Sequence, residues 1–138
     1  MSTATEKKSG IPKHYSPVMP YMVVPDGEAL IKFLTAVFDA KEILRVDHAD
    51  GRLMHAEYDI KGGTVMFGQA GGEWPAFPCG MFVLVNDVDG VYAKALANGA
   101  TGNQEPGDRG YGRTAGFIDT NGNQWWLNDP ENTADATA

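Results

Sequence analysis

An internal repeat of about 60 residues is the feature that most restricts what this chain can fold into. Residues 119–127 contain an Asp, then a Gly, then a run of large apolar side chains, and residues 59–67 have the same order sixty positions earlier. Asp and Gly in this arrangement favour a tight turn, so each copy is predicted to be a hairpin that leads into a strand. Asp26 and Asp87 are related by nearly the same spacing. The chain is therefore predicted to contain one structural unit used twice.

Both units are predicted to have the order strand, helix, strand, strand, strand. In the first unit the hydrophobic patterns predict strands over 18–24, 42–48, 52–60 and 64–68, with a helix over 26–38. In the second they predict strands over 81–85, 101–105, 111–118 and 123–127, with a helix that begins at Asp87. The resulting domain division is a flexible tail over 1–17, a domain over 18–128 (modules 18–68 and 80–128, connector 69–79) and a second flexible tail over 129–138.

Composition excludes several classes of partner. The net charge is −7 and the repeats contain no basic cluster, which argues against binding to nucleic acid or to an anionic membrane surface. The single cysteine, Cys79, excludes an intrachain disulfide and a zinc site built from cysteine pairs. With no signal-peptide pattern and no apolar run of membrane-spanning length, the predicted location is cytoplasmic.

The alternating segment 52–60 divides its side chains between two faces of a strand. Met54, Ala56, Tyr58 and Ile60 are predicted to lie under the first helix, which leaves His55, Glu57 and Asp59 on the opposite face. By the same alternation one of Trp125 and Trp126 belongs to the core, and we assign Trp126 to the open face together with Gln124. Tyr21 and Phe82 are predicted to share that open face. Asp59 and Asp119 are interpreted as turn formers.

Two segments allow more than one interpretation. The connector 69–79 is rich in Gly and Pro yet contains Trp74 and Phe77, so it is either pinned to the body of the domain or serves as a lid. Arg113 begins a strand, where it either meets an anionic group of a ligand or pairs with Glu57.

An ordered set of short segments resembles the vicinal oxygen chelate superfamily, which includes glyoxalase I, bleomycin-resistance proteins, fosfomycin-resistance enzymes and extradiol dioxygenases. The segments are MPYMVV with Asp26 (residues 19–26), HAEY (55–58), VNDVD (85–89), NGA (98–100), GFID (116–119) and GNQW (122–125). Together they are most similar to the PhnB-like branch. The resemblance implies an α+β fold in which two βαβββ modules form a cup of two curled four-stranded sheets with the helices outside.

Metal-using members of this superfamily take ligands from the first and last strand of each module. The corresponding positions here are Met19, Met66, Gly80 and Trp126, and none of these side chains suits a hard or borderline divalent ion. We therefore expect neither the usual metal nor another cofactor. An alternative is a metal relocated to His55 and Glu57, although no third ligand is evident near them.

The leading hypothesis is a glyoxalase/bleomycin-resistance-like protein that binds a small molecule in the cup without a metal. The predicted ligand-binding residues are Tyr21, His55, Glu57, Phe82, Arg113, Gln124 and Trp126. The alternative is a lyase or isomerase in which His55 is the general base and Glu57 orients it, either without metal or with the relocated site. Exposed sheet edges and an open cup also predict a homodimer.

Overall fold

A computed structural model describes residues 10–131 and confirms the repeated order of elements. The first module contains β1 (Tyr21–Val24), α1 (Gly27–Phe38), β2 (Lys41–Asp47), β3 (Leu53–Ile60) and β4 (Gly63–Gln69). The second contains β5 (Gly80–Leu84), α2 (Val88–Ala97), β6 (Thr101–Asp108), β7 (Arg113–Ile118) and β8 (Gln124–Asp129). The predicted tails at 1–9 and 132–138 lie outside the described residues.

Each module forms one four-stranded mixed sheet. Sheet one has the strand order β1-β4-β3-β2 and sheet two has the equivalent order β5-β8-β7-β6. In both sheets the first strand runs parallel to the last, while the other pairs are antiparallel. The sheets are not closed into a barrel, so one face of each is covered by helices and the other, here called its free face, is left to line a site.

The helices begin at the predicted capping residues. Asp26 accepts a hydrogen bond from the backbone N–H of Ala29 at 3.1 Å, and Asp87 accepts one from Gly90 at 3.0 Å. Each carboxylate satisfies a donor that the first helical turn leaves unpaired, which stabilises the start of the helix. Neither helix in the described part of the chain is long and apolar enough to cross a membrane.

One hydrophobic core joins the two modules. α1 covers sheet one and also contacts sheet two, because the ring of Phe33 packs against Phe117 and that of Phe38 packs against Trp125, with centroids 5.8 and 5.1 Å apart. The backbone N–H of Asp26 also bonds to the side chain of Asn121 in the β7–β8 turn at 2.8 Å. The two sheets are thus held by a shared helical layer.

Three predictions about elements differ from the structure. β1 begins at Tyr21 instead of Val18, which is 86% exposed. The hairpin of β6 and β7 is also shifted, because β6 continues to Asp108 instead of ending at residue 105 and β7 begins at Arg113 instead of residue 111. The third difference is Met54, which does not lie under α1 but is 45% exposed on the other side of β3.

The displacement of Met54 has a local cause. Val46 pairs with His55 while the next residue, Asp47, pairs with Leu53, so Met54 is the extra residue of a β-bulge. Leu53 takes the helix-facing position and packs so closely on the start of α1 that a Cβ on Gly27 would lie 2.5 Å from its side chain. The bulge thereby moves Met54 to the same side as His55.

Candidate functional site

The free face of sheet one contains a buried carboxylate. Glu57 lies in the middle of β3 with only 2% of its surface exposed. Its Oε2 atom accepts hydrogen bonds from the hydroxyl of Tyr15 at 2.7 Å and from Nε2 of His55 at 2.8 Å. Two donors on one oxygen stabilise the ionised form of the acid.

The protonation of this cluster follows from its charges. Burial raises the pKa of Glu57, but the hydrogen bonds from His55 and Tyr15 outweigh that effect, and the net result is a lowered pKa. An ionised carboxylate only accepts hydrogen bonds, so the proton of the neutral imidazole belongs on Nε2 and leaves Nδ1 as an acceptor. The hydroxyl of Tyr21 lies 3.0 Å from Nδ1 and donates to it. Burial and the charge of Glu57 raise the pKa of Tyr21, which keeps this phenol protonated. The result is a directed chain from Tyr21 through His55 to Glu57.

A short N-terminal segment covers the same carboxylate. The backbone carbonyl of His14 accepts a hydrogen bond from Thr64, and Tyr15 reaches Glu57 as described. Nε2 of His14 lies 3.6 Å from Oε1 of Glu57, a buried oxygen that has no hydrogen-bond partner among the described residues. The predicted loose tail therefore does not extend through residues 12–16, which pack across sheet one as a strap.

Beside this cluster lies a hollow with two adjoining parts that share Tyr21, Met54, Gln69 and Trp74. One part, of about 390 Å³, is mainly apolar and is completed by Val23 and Phe77. The other, of about 660 Å³, is polar and is completed by His48, Arg52, His55, Gly71, Gly72 and Glu73. Both volumes fall within the range of about 300–1,000 Å³ that is usual for small-molecule pockets.

The connector forms one wall of this hollow. Its backbone is pinned, because the N–H of Phe77 bonds to the carbonyl of Val23 at 3.2 Å and Gly71 pairs with Trp74. The aromatic side chains of Trp74 and Phe77 remain exposed and border the apolar part. The pinned interpretation thus describes the backbone, while the side chains form a wall of the hollow.

Three predicted ligand-binding residues lie together on the other sheet. Trp126 is 41% exposed on the free face of sheet two and Trp125 is fully buried, as the alternation predicts. Phe82 pairs with Trp126 across β5 and β8, whereas the Gln124 side chain is engaged with Asn103 at 2.7 Å. Phe82 lines a separate groove between β5 and the start of β1. Within the described part of the chain, no side-chain hydrogen bond or ring-to-ring contact joins these three residues to Tyr21, His55 or Glu57.

Arg113 is separate from both groups of predicted residues, those on sheet one and those on the free face of sheet two. Its guanidinium forms hydrogen bonds with Asp89, including one of 3.0 Å from Nη2, and Asp89 belongs to the first turn of α2. Of the two alternatives for Arg113, pairing with Glu57 is not observed, because its guanidinium pairs with Asp89 of α2 instead. The ion pair with Asp89 raises the pKa of Arg113.

The residues at the superfamily's metal-ligand positions do not fit a metal. Met19, Met66, Gly80 and Trp126 supply neither imidazole nor carboxylate, and the indole of Trp126 lies 3.0 Å from the point where a Cβ on Gly80 would stand. A side chain at position 80 would thus meet the indole. Elsewhere in residues 10–131 no three His, Cys, Asp or Glu side chains are grouped to hold an ion, which includes the surroundings of His55 and Glu57.

Tyr15 and Trp74 are among the residues of this site that sequence reasoning missed. Tyr15 is 42 positions from Glu57 in the chain, and no periodic pattern relates a strap to the strand it covers. The signal for Trp74 was present, because an aromatic residue in a Gly-rich connector is predicted either to be pinned or to act as a lid.

With this geometry in place, the chain was compared with known proteins. The profile of the Glyoxalase/Bleomycin resistance protein/Dioxygenase superfamily matches residues 13–127. The chain belongs to this superfamily. It is 34% identical over 123 residues to an uncharacterised protein of Mycobacterium bovis, a match that covers 80% of this chain and 81% of that protein.

Solved structures agree on the fold. The chain is similar to TioX from Micromonospora sp. ML1, with a TM-score of 0.70 and 26% identity over 84% of this chain and 99% of that one. A PhnB protein from Bacillus cereus gives a TM-score of 0.67 at 16% identity, covering 82% of this chain and 98% of that one. The fosfomycin-resistance protein FosX from Listeria monocytogenes, solved with Mn(II) and sulfate, gives 0.64 at 18% identity, covering 87% and 92%. The last two show likeness of fold alone.

Proposed function

We propose that this protein binds a small organic molecule in the hollow on the free face of sheet one, without a metal ion. The observation that carries the proposal is the directed chain of Tyr21, His55 and Glu57 at the wall of a hollow bordered by Trp74 and Phe77. A concave, largely apolar site with a few placed polar groups is what specific binding of a small molecule requires. The polar chain orients the ligand, and the aromatic wall supplies contact area.

The absence of metal from the proposal rests on the donor set. FosX was solved with Mn(II), but the four positions that would hold an ion here carry two methionines, a glycine and a tryptophan. Elemental analysis of protein purified without chelators tests this point, and one equivalent of metal that disappears in a His55→Ala variant would contradict it.

A thermal-shift screen of metabolites and antibiotics, followed by calorimetric titration of any hit, tests the binding function. We expect Trp74→Ala to weaken binding by about 1–3 kcal/mol, the usual range for truncating an aromatic anchor. The control is Trp126→Ala, which removes a less exposed indole (41% against 64% for Trp74) from the free face of sheet two. Equal losses in both variants would show that the ligand spans both sheets, and a loss only with Trp126→Ala would move the site to sheet two.

A second candidate function is that of a metal-free lyase or isomerase. Glu57 fixes the imidazole of His55 with Nε2 protonated, so Nδ1 acts as a base on a ligand that displaces the Tyr21 hydroxyl from it. Turnover of a bound ligand with a bell-shaped pH profile that His55→Gln abolishes would favour the enzyme. Tight binding without turnover would favour the binding protein.

We also propose a homodimer. Phe82 and Leu84 on β5 are 58% and 57% exposed, and Trp126 adds to the same apolar surface. A contiguous apolar patch on the free face of a sheet is usually covered by a partner. Light scattering at micromolar concentration is expected to report the dimer mass, and Phe82→Glu is expected to give a monomer. A cytoplasmic location remains a prediction from the sequence.

A further inference from the structure

Rings form the wall of the hollow that contains His55. The rings of Tyr21 and His55 are nearly parallel, with an interplanar angle of 21° and centroids 5.6 Å apart. Trp74 and Met54 border both parts of the hollow, and an indole and a thioether are favourable contacts for an aromatic ring. This wall of rings and the Met54 thioether fits a planar ligand better than a branched aliphatic one.

The polar part of the hollow contains an arginine that is only partly engaged. Nε of Arg52 donates to Asp50 at 3.0 Å, but neither Nη atom donates to an acceptor within residues 10–131. The guanidinium lies against the connector, where Nη1 is 3.0 Å from the point at which a Cβ on Gly71 would stand. A side chain at position 71 would crowd the guanidinium, so Gly71 leaves room for Arg52 at the rim. Two such N–H donors suit the two oxygens of a carboxylate.

Besides Arg52 and Tyr21, the polar part of the hollow contains three ionisable side chains: His48, His55 and Glu73. Glu57 does not oppose an anion strongly, because its charge lies behind His55 and is already bonded to two donors. Two carboxylates weaken the attraction of this part for an anion: Asp50, which is ion-paired with Nε of Arg52, and Glu73 on the exposed connector.

On the basis of the proposed function, we propose that the ligand is a planar aromatic acid. Its ring lies between Trp74, Met54 and Tyr21, and its carboxylate pairs with the Nη atoms of Arg52. The inference concerns the chemical class of the ligand, so it can fail while the hollow still binds small molecules.

Isothermal titration with 1-naphthoate and with its neutral amide, 1-naphthamide, tests the class. Since a hydrogen bond to a charged group is worth about 1.5–3 kcal/mol, we expect naphthoate to bind about 10- to 100-fold more tightly than the amide. Arg52→Gln is expected to remove this preference, because it weakens binding of naphthoate far more than binding of the amide. Glu73→Gln is expected to change affinity in the opposite direction and strengthen naphthoate binding several-fold.

Arg113→Gln is the matched control, because it removes an equal charge that is paired with Asp89 on the helix side. Equal affinity for the acid and the amide, or a preference that survives Arg52→Gln, would overturn the assignment of an acid. Binding of neither probe would overturn the aromatic class. The proposed binding function would then be judged separately by the broad screen and by the Trp74→Ala variant.

Discussion

The free faces of the two sheets share one hydrogen-bonding frame but differ in chemistry. Across the middle of sheet one, Tyr21 lies beside Met66, which lies beside Glu57. The equivalent row of sheet two is Phe82, Trp126 and Gly116. The first row thus offers a phenol and a carboxylate, whereas the second offers two aromatic rings and a glycine. The two modules thus share the same strand pairing, but of these two rows only that of the first module contains ionisable side chains.

The place of the carboxylate is filled differently in sheet two. A Cβ on Gly116 would lie 3.1 Å from the side chain of Asn103 and 3.2 Å from that of Gln124. These two amides bond reciprocally at 2.7 and 3.3 Å, so a neutral pair occupies the space above Gly116. An amide pair stays neutral, whereas Glu57 is an ionised carboxylate. Sheet one is therefore suited to polar recognition and sheet two to apolar contact.

The largest expected effect separates the two sides of sheet two. Trp125→Ala removes a fully buried indole that packs on Phe38 and donates to Asp119 at 2.8 Å. We expect the free energy of unfolding to fall by about 3–5 kcal/mol, as for other large truncations in a core. Trp126→Ala, on the free face, is expected to cost about 1 kcal/mol or less. Urea unfolding followed by circular dichroism measures both, and similar losses would show that the free face is part of the core.

The two adjacent tryptophans, Trp125 and Trp126, also show what the sequence can predict. Strand alternation correctly assigned Trp125 to the core and Trp126 to the free face, because a period of two is a property of the strand itself. It failed at Met54, since a β-bulge is defined by the pairing of two strands and is not visible in one of them. The fold followed from patterns within each unit, and the error arose from a contact between strands.

The candidate site was only partly predictable for the same reason. Tyr21, His55 and Glu57 were assigned to one face by periodicity, and the structure brings them into one hydrogen-bonded chain. For Arg113, the alternative of pairing with Glu57 failed because a long side chain can reach a helix as easily as a neighbouring strand. The contact of Tyr15 with Glu57 connects segments that are far apart in sequence, and no local pattern encodes it.

The second prediction concerns the ionised carboxylate of Glu57, which has no counterpart at Gly116 of sheet two. The lowered pKa of Glu57 means that the folded state favours the carboxylate, so this stabilisation is present above the ordinary value of 4.5 and is lost as pH falls below it. Glu57→Gln is expected to cost about 1–3 kcal/mol at pH 7, through loss of charge-assisted hydrogen bonds. The difference from the parent protein is expected to shrink as the pH falls below 4.5.

Urea unfolding of both proteins across this pH range gives the measurement. Gln124→Glu is the informative control, because it places a carboxylate in the amide pair of sheet two, where no histidine is hydrogen-bonded to it. A difference between Glu57→Gln and the parent that stays constant with pH would contradict the assigned ionisation.

The smallest expected effect concerns the ends of the helices, where the modules differ by one residue type. Asp39 follows α1 with a left-handed φ of 55°, and Gly99 follows α2 with a φ of 99°. The two positions are related by the repeat, but only Gly adopts this backbone region without steric cost. Asp39→Gly is therefore expected to raise the free energy of unfolding by about 0.4–1 kcal/mol.

The reverse substitution, Gly99→Asp, is expected to cost more than Asp39→Gly gains. A Cβ at position 99 would lie 2.9 Å from Thr120, so steric crowding adds to the unfavourable backbone conformation. Asp39→Ala is the matched control, because it removes the carboxylate and its exposed pair with Lys41 but keeps a Cβ. If Asp39→Gly and Asp39→Ala change stability equally, the gain would come from loss of the Asp side chain. The left-handed backbone at position 39 would then carry no measurable steric cost.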